Sequence, residues 1–191
     1  MKRVGQAILA ALVGIACITT ALKRVEPLTQ HHQVRVKMEN EIPLVQVDPR
    51  AVAEVIYTLV DNAAKYSPAG KTILVTADQS DDETIRIAVE DQGQSIPRAL
   101  RERVFDKFFR ATRDGDTQSS RQPKGTGMGL AVAKGIVEAH GGLIWIEDGT
   151  EDSVGTRVLF TLPIGDSGTM PEPSSEIASG ATPSGETLRV S

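Results

Sequence analysis

The sequence has few of the residues that several common protein classes require. Its 191 residues include a single cysteine, Cys17, which excludes an internal disulfide framework and is typical of a reducing compartment. Aromatic residues make up only 4% of the chain, too few for the stacking surfaces that bind single-stranded nucleic acids. Because the net charge is −4, the chain as a whole is not expected to bind nucleic acid.

Charge is also missing from residues 4–22, a run that follows Met1-Lys2-Arg3. The run is long enough to resemble a signal peptide or a short membrane span. Its alanines, together with Ile and Leu residues at helical spacing, favour a helix that packs against other helices and ends at Pro27. Basic pairs flank both ends, so charge does not set an orientation in a membrane.

The rest of the chain predicts strands at 34–38, 72–77, 84–90, 143–148 and 157–162, and helices at 49–65, 97–109 and 129–140. Asp48 is the expected N-cap of the helix that Pro49 begins. From residue 166 onward, Gly, Ser, Pro, Thr and Glu dominate, which predicts a disordered tail. The fold class is therefore expected to be α+β, a two-layer sandwich of one sheet and one layer of helices.

The most distinctive stretch is Gly125-Thr126-Gly127-Met128-Gly129-Leu130, which runs directly into the helix at 129–140. Glycines let backbone amides approach a ligand closely, and a helix N-terminus favours negative charge. The polar residues 114–124 before it cannot form the buried strand that precedes a dinucleotide-binding loop. The stretch is therefore either a flexible connection or a lid that binds phosphates.

The helix at 49–65 carries a polar stripe of Thr58, Asn62 and Lys65, with Tyr66 just beyond it. The amide oxygen of Asn62 suits Mg²⁺, Lys65 can reach a phosphate, and Tyr66 offers an aromatic face for a base. The alternative is an ordinary solvated helix face.

Two further motifs have both a functional and a plain interpretation. Asp91-Gln92-Gly93 ends a strand, where an ionised carboxylate could accept a hydrogen bond from an exocyclic amine, or it is a simple turn. Residues 104–110 (VFDKFFR) contain three phenylalanines, and residues 101–124 carry a net charge of +3. A positive segment in a negative chain suits a polyphosphate, although it could also be a hydrophobic helix end with solvated charges.

The order of these motifs resembles the ATP-binding catalytic domain of sensor histidine kinases, which are members of the GHKL superfamily. The matching motifs are residues 59–68 (LVDNAAKYSP, the N box), 91–93 (DQG, the first glycine box), 104–110 (the F box), 125–130 (GTGMGL, the second glycine box) and Gly155-Thr156. The resemblance covers residues 28–164, and the run 43–48 (PLVQVD) looks most like the potassium-responsive sensor kinases.

This resemblance implies a Bergerat-type fold, with a mixed, mostly antiparallel sheet and with ATP and Mg²⁺ between the helices and the lid. It implies that Asn62 contacts Mg²⁺, that Asp91 binds the adenine amine, and that Lys65 and Arg110 lie near phosphates. It places Tyr66 and Ile96 against the base. The remaining residues that it places around the nucleotide are Gly93, Phe108, Gly125, Thr126, Gly127, Met128, Gly129, Leu130 and Thr156.

Two positions depart from the family pattern. Ser95 replaces the second glycine of the first glycine box, and its Cβ is expected to shift the loop and weaken nucleotide binding. Thr58 replaces the usual asparagine. Relatives that hydrolyse ATP or phosphorylate serine resemble one another in having a glutamate there as general base, which threonine cannot replace. A histidine acceptor needs less help, because imidazole has a free lone pair near neutral pH.

We therefore predict the catalytic domain of a two-component sensor histidine kinase, which transfers the γ-phosphoryl of Mg·ATP to a histidine on a separate or missing phosphoacceptor domain and has a response regulator as a further partner. His31 and His32 are interpreted as solvated surface and His140 as structural, so none of the three is the acceptor. A degenerate or regulatory ATP-binding module without kinase activity is the alternative, and an ATPase is less favoured.

The predicted organisation has three parts. Residues 1–27 form an N-terminal helix, interpreted as a remnant of a dimerisation region through which the chain could dimerise. Residues 28–165 form the kinase domain, and residues 166–191 form the tail. Because ATP is scarce outside the cytosol, a cytoplasmic location is favoured over membrane association through residues 4–22.

Overall fold

The computed structural model describes residues 18–39, 42–43, 45, 47–110, 126–150 and 155–165. Its five strands are β1 (Gln33–Met38), β2 (Thr72–Gln79), β3 (Thr84–Glu90), β4 (Ile144–Asp148) and β5 (Thr156–Pro163). They form one sheet in the order β1-β2-β3-β5-β4. Only the β1–β2 pair among these strands is parallel, which confirms the expected mixed, mostly antiparallel sheet.

In the part of the chain that the structure describes, three α-helices accompany the sheet: α1 (18–25), α2 (Pro49–Tyr66) and α3 (Gly129–Ala139). The predicted start of α2 is confirmed, because the Asp48 side chain accepts hydrogen bonds from the backbone amides of Arg50 and Ala51, and Pro49 is the first helical residue. At its other end the chain turns extended at Ser67, immediately before Pro68. Sequence signals that act within one turn thus set both ends of α2.

The core lies between the sheet and the helices. Alternate residues of β2 and β3, such as Val75 and Ile87, are buried against the apolar face of α2, where Ile56 and Leu59 are at most 1% exposed. Full burial of each such side chain is worth about 1.5–3 kcal/mol. One helical layer on one sheet confirms the predicted two-layer sandwich.

The opposite face of the central strands carries charged pairs. Arg86 on β3 contacts Asp78 on β2 at 2.8 Å. Arg157 on β5 lies 3.8 Å from Glu90 and 3.7 Å from Glu147, the two residues paired with it on its neighbouring strands. The strands therefore bury one face under helices and keep polar groups on the other.

Helix α1 belongs to this core, since Ile18, Ala21 and Val25 are buried with the sheet residues. Among the described residues, no helix is both long enough and apolar enough to cross a bilayer. The predictions for residues 4–17 and for the tail at 166–191 lie outside the described residues.

The predicted helix at 97–109 is wrong. The chain forms two short 3₁₀ turns there, Arg98–Leu100 and Arg103–Phe105. Phe108 has φ of 65°, which a right-handed helix does not allow, and its amide donates to the carbonyl of Gly127 instead of to a preceding turn. The backbone already turns extended at Asp106, where ψ is 142°, so the helical path ends before the contact with Gly127.

Candidate nucleotide-binding site

Helix α2 positions both glycine motifs. At its C-terminal end, the carbonyl oxygen of Tyr66 lies so close to Gly93 that a Cβ on Gly93 would be 2.4 Å from it. In the middle of α2, Thr58 lies against Gly129, the first residue of α3. The two are so close that a Cβ on Gly129 would be 3.1 Å from Thr58 Cγ2. The Asp91-Gln92-Gly93 turn and the end of the second glycine box therefore lie along the same helix.

Asp91 is buried at the end of β3, with 7% of its surface exposed. Its backbone amide donates to the carbonyl of Thr156 at 2.9 Å, and its Oδ1 accepts from the amide of Gly93 at 2.6 Å. Gly155 packs directly on it: a Cβ there would be 2.0 Å from the Asp91 carbonyl oxygen, and φ of Gly155 is 112°. Asp91, Gly93, Thr156 and Tyr66, which the sequence predicted as site residues, are thus in one place.

The polar stripe of α2 points toward solvent beside this turn. Asn62 is half-buried, and Tyr66 is 41% exposed. Lys65 forms an i,i+4 ion pair with Asp61, so the cation that was expected near phosphates has a carboxylate partner. A ligand phosphate would have to compete with Asp61 for Lys65.

The F box and the second glycine box meet through their backbones. The amide of Phe108 donates to the carbonyl of Gly127 at 3.0 Å, and both residues have positive φ, 65° and 70°. A Cβ on Gly127 would lie 2.9 Å from Phe108 C and from Phe109 O. We call this pair of residues, Phe108 and Gly127, the backbone clasp.

Other predicted residues occupy different positions around the clasp. Met128 is the N-cap residue of α3 and is 37% exposed, whereas Leu130 packs into both apolar clusters of the protein. Thr126 and Arg110 are exposed and flank the segment 111–125. Gly125 lies in that segment, outside the described residues.

Ile96 packs against a second apolar cluster formed by Val104, Phe105 and Ile146. Two contacts that sequence reasoning missed hold its loop. Ser95 Oγ donates to the carbonyl of Gly155 at 2.7 Å, and Arg101 Nε donates to the carbonyl of Ile96 at 3.1 Å.

Arg101 also pairs with Asp148 at the end of β4. Hydrogen bonds from Arg101 and, secondarily, from Arg98 hold the pKa of Asp148 below its usual value. The partners in this pair are 47 residues apart, so no local pattern announces them. Ser95 was visible as a departure from the family, but only as a residue expected to disturb the loop.

The histidines have structural contacts. His140 Nε2 accepts from the amide of Asp48 at 3.2 Å, while its Nδ1 lies 2.8 Å from the Ile136 carbonyl, which makes it a brace between α3 and α2. The interpretation of His32 as solvated surface is wrong, because it is half-buried and its Nε2 contacts the carbonyl of Ser67 at 3.2 Å. Its neighbour His31 is exposed.

The fold and the site together define an ATP-binding domain of the GHKL type, and comparisons with known proteins agree. The family model described as "Histidine kinase-, DNA gyrase B-, and HSP90-like ATPase" matches residues 47–166. The chain therefore belongs to this family, and it carries the ATP-binding catalytic domain of a sensor histidine kinase.

Individual relatives are sensor kinases. The chain is 39% identical over 120 residues to the sensor histidine kinase WalK of Bacillus subtilis, covering 62% of this chain and 19% of that protein. It is 33% identical over 146 residues to the sensor protein KdpD of Clostridium acetobutylicum, covering 76% and 15%. The chain thus spans a small part of these relatives.

Solved structures match over most of their own length. The mycobacterial sensor histidine kinase MprB is 30% identical, with a TM-score of 0.64, and the match covers 77% of this chain and 91% of that one. The catalytic domain of the histidine kinase ThkA is 26% identical, with a TM-score of 0.63, and the match covers 78% and 92%.

Proposed function

We propose that this chain is the catalytic part of a protein-histidine kinase. It binds Mg·ATP and transfers the γ-phosphoryl group to a histidine on a phosphoacceptor domain, which is either a separate protein or another part of a longer chain. The phosphoryl group would then pass from the phosphohistidine to a response regulator. The observation that carries this proposal is the buried carboxylate of Asp91, fixed between the N-box helix and Gly155-Thr156.

The base would lie at the end of β3. An ionised carboxylate only accepts hydrogen bonds, so Asp91 selects a base that presents an exocyclic amine, as adenine does. The Gly93 amide donates to its Oδ1, and its own backbone amide donates to the Thr156 carbonyl, so both the side chain and the backbone of Asp91 are held in place. Tyr66, which is partly exposed, and Ile96, which packs on the second apolar cluster, would contact the two sides of the ring.

The phosphates would lie between α2 and the second glycine box. The amide oxygen of Asn62 is a suitable ligand for Mg²⁺, and when bound this ion would neutralise part of the triphosphate charge. Lys65 would leave Asp61 for a phosphate oxygen, and Arg110 would approach from the F box. Gly127 and Gly129 would bring backbone amides to the phosphates at the start of α3.

The threonine at position 58 favours histidine over water as the acceptor of the phosphoryl group. Its methyl group packs on Gly129, and a threonine at this position has no carboxylate to act as general base. In the transfer, a neutral imidazole nitrogen forms the new bond to phosphorus, the bond to the β,γ-bridging oxygen breaks, and ADP leaves. The chain's contribution is to hold these groups in line. A regulatory ATP-binding module without transfer activity is the second candidate, motivated by Thr58 and Ser95.

The test combines binding with transfer. Fluorescent ADP and ATP would be titrated with and without Mg²⁺ into the parent, into Asn62→Ala, and into Asn40→Ala, which changes the other asparagine of the sequence. We expect Mg²⁺-dependent binding that Asn62→Ala weakens by at least tenfold and Asn40→Ala leaves unchanged. Absence of Mg²⁺-dependent binding to the parent would contradict the kinase proposal.

Transfer would be followed with radiolabelled ATP and a supplied phosphoacceptor helix pair from a sensor kinase, with its histidine changed to alanine as the control. Acid-labile label on the histidine helix supports the kinase. Binding without transfer to any of a panel of such helices favours the regulatory module, whereas steady ATP turnover without an acceptor indicates an ATPase.

A further inference from the structure

We propose that Ser95 is a positioning residue that locks the adenine-side loop onto β5 and thereby strengthens ATP binding. The adenine-side loop is defined here as residues 93–97. This inference rests on the proposed function, and it reverses the expectation that a side chain in place of glycine weakens the site.

The hydroxyl of Ser95 acts on the residue that packs against Asp91. It donates to the carbonyl of Gly155 at 2.7 Å, across 60 residues of sequence. Gly155 is in such close contact with Asp91 that a Cβ would lie 2.0 Å from the Asp91 carbonyl oxygen. The Ser95 hydrogen bond therefore connects the loop to Gly155, the residue that packs against Asp91 and fixes the position of its carboxylate.

Thr156 extends the same connection. Its carbonyl accepts from the amide of Asp91 at 2.9 Å, and its Oγ1 lies 3.4 Å from the carbonyl of Gln94. The loop thus has two contacts with the start of β5, and the shorter one comes from Ser95.

The far end of the loop is fixed independently. Arg101 donates to the carbonyl of Ile96 and pairs with Asp148, which lies opposite Thr156 in the β4–β5 register. Both attachments therefore converge on one corner of the sheet, where β4 ends and β5 begins. Gly93 is bonded to Asp91 at the start of the loop and Ile96 is bonded to Arg101 near its end, so Ser95 fixes the middle of the loop.

A glycine at position 95 would lack this bond and would have more backbone freedom. A nucleotide would then have to order the loop on binding, which reduces affinity. A hydrogen bond with the usual net contribution corresponds to a change of about 3- to 10-fold in affinity. The effect is expected on the base side only, because the phosphates contact a different part of the site.

The test uses the full chain with Ser95→Gly, Ser95→Ala and Ser95→Thr. Ser174→Gly, outside the family match at 47–166, controls for loss of a serine. Affinity for Mg·ATP and for inorganic Mg·tripolyphosphate would be measured by competition with fluorescent ADP. We expect Ser95→Gly and Ser95→Ala to lose about 3- to 10-fold in ATP affinity with unchanged tripolyphosphate affinity, and Ser95→Thr, which keeps a hydroxyl, to recover most of the loss.

A second measurement is hydrogen exchange of the loop amides in the protein without nucleotide, which Ser95→Gly and Ser95→Ala should accelerate in residues 93–96 and not in α2. If the parent binds Mg·ATP but Ser95→Gly binds it equally or more tightly, the inference is overturned while the proposed function stands. Equal losses for ATP and tripolyphosphate would show a general structural effect and also overturn it. If the parent does not bind Mg·ATP, the proposed function fails, and the inference fails with it.

Discussion

Gly127→Ala tests whether the backbone clasp controls nucleotide binding. The substitution adds one methyl group where φ is 70° and where the new Cβ would lie 2.9 Å from both Phe108 C and Phe109 O. These are backbone atoms, so they cannot move aside as a flexible side chain could. The left-handed conformation alone costs alanine about 1–2 kcal/mol, and the two close contacts add to that.

The magnitude follows from comparing this strain with the bond that it opposes. The Phe108–Gly127 hydrogen bond contributes about 0.5–1.5 kcal/mol, which is less than a strain of about 2 kcal/mol. The clasp should therefore open locally in the variant, and the loss of global stability should be limited to about 1 kcal/mol. If ATP requires the closed clasp, its affinity falls by about five- to tenfold, because the closed form becomes the minor population.

The assay is a pair of measurements on matched variants. Gly135→Ala lies in the middle of α3, where a Cβ would have nothing within 4 Å, so it should stabilise the protein by about 0.5–1 kcal/mol and leave ATP affinity unchanged. Urea denaturation would report stability, and titration of fluorescent ATP would report affinity. ATP affinity of Gly127→Ala equal to that of the parent, at any stability, would refute the role of the clasp.

Two further predictions concern ion pairs. Asp61→Asn removes the partner of Lys65. Because a partly exposed ion pair is worth less than about 1 kcal/mol, the stability of the protein should barely change, while its affinity for ATP should rise by up to about threefold. A fall in ATP affinity would show that Asp61 assists binding instead of competing for Lys65. Because the bond from Arg101 lowers the folded-state pKa of Asp148, its stabilisation is present above pH of about 4, the unfolded value, and is lost as pH falls through the lower folded value. The Tm of Asp148→Asn should therefore lie below that of the parent near neutral pH, with the gap closing in strong acid, and a gap constant from pH 2 to 7 would contradict this.

Elements with local signals were predicted closely. The cap at Asp48 and the proline at 49 begin α2, and the period-two alternation of residues 84–90 matches β3. The helix predicted at 97–109 is replaced by two 3₁₀ turns, the second of which ends where Asp106 turns extended. Phe108 then takes a left-handed conformation and bonds to Gly127, a residue in another motif. Helical periodicity reflects neighbours a few positions away and does not include a hydrogen bond to a segment elsewhere in the sequence.

The site shows the same division. The motif residues Asp91 and Gly93 were named as candidates through the order of the motifs and the family that this order resembles, and the structure places them beside Thr156 and Tyr66. The state of Lys65 could not, since an i,i+4 carboxylate is compatible with either an ion pair or a solvated stripe.

The sequence by itself determined the residue types, the order of the motifs and the helical and strand periods, because these depend on neighbours a few positions away. Only the tertiary structure decided that Ser95 donates to Gly155 and that Arg101 connects Ile96 to Asp148. These partners are brought together by strand pairing between β3, β4 and β5, which no local preference encodes. Ser95, which departs from the family motif in the sequence, is therefore a hydrogen-bond donor in the folded protein.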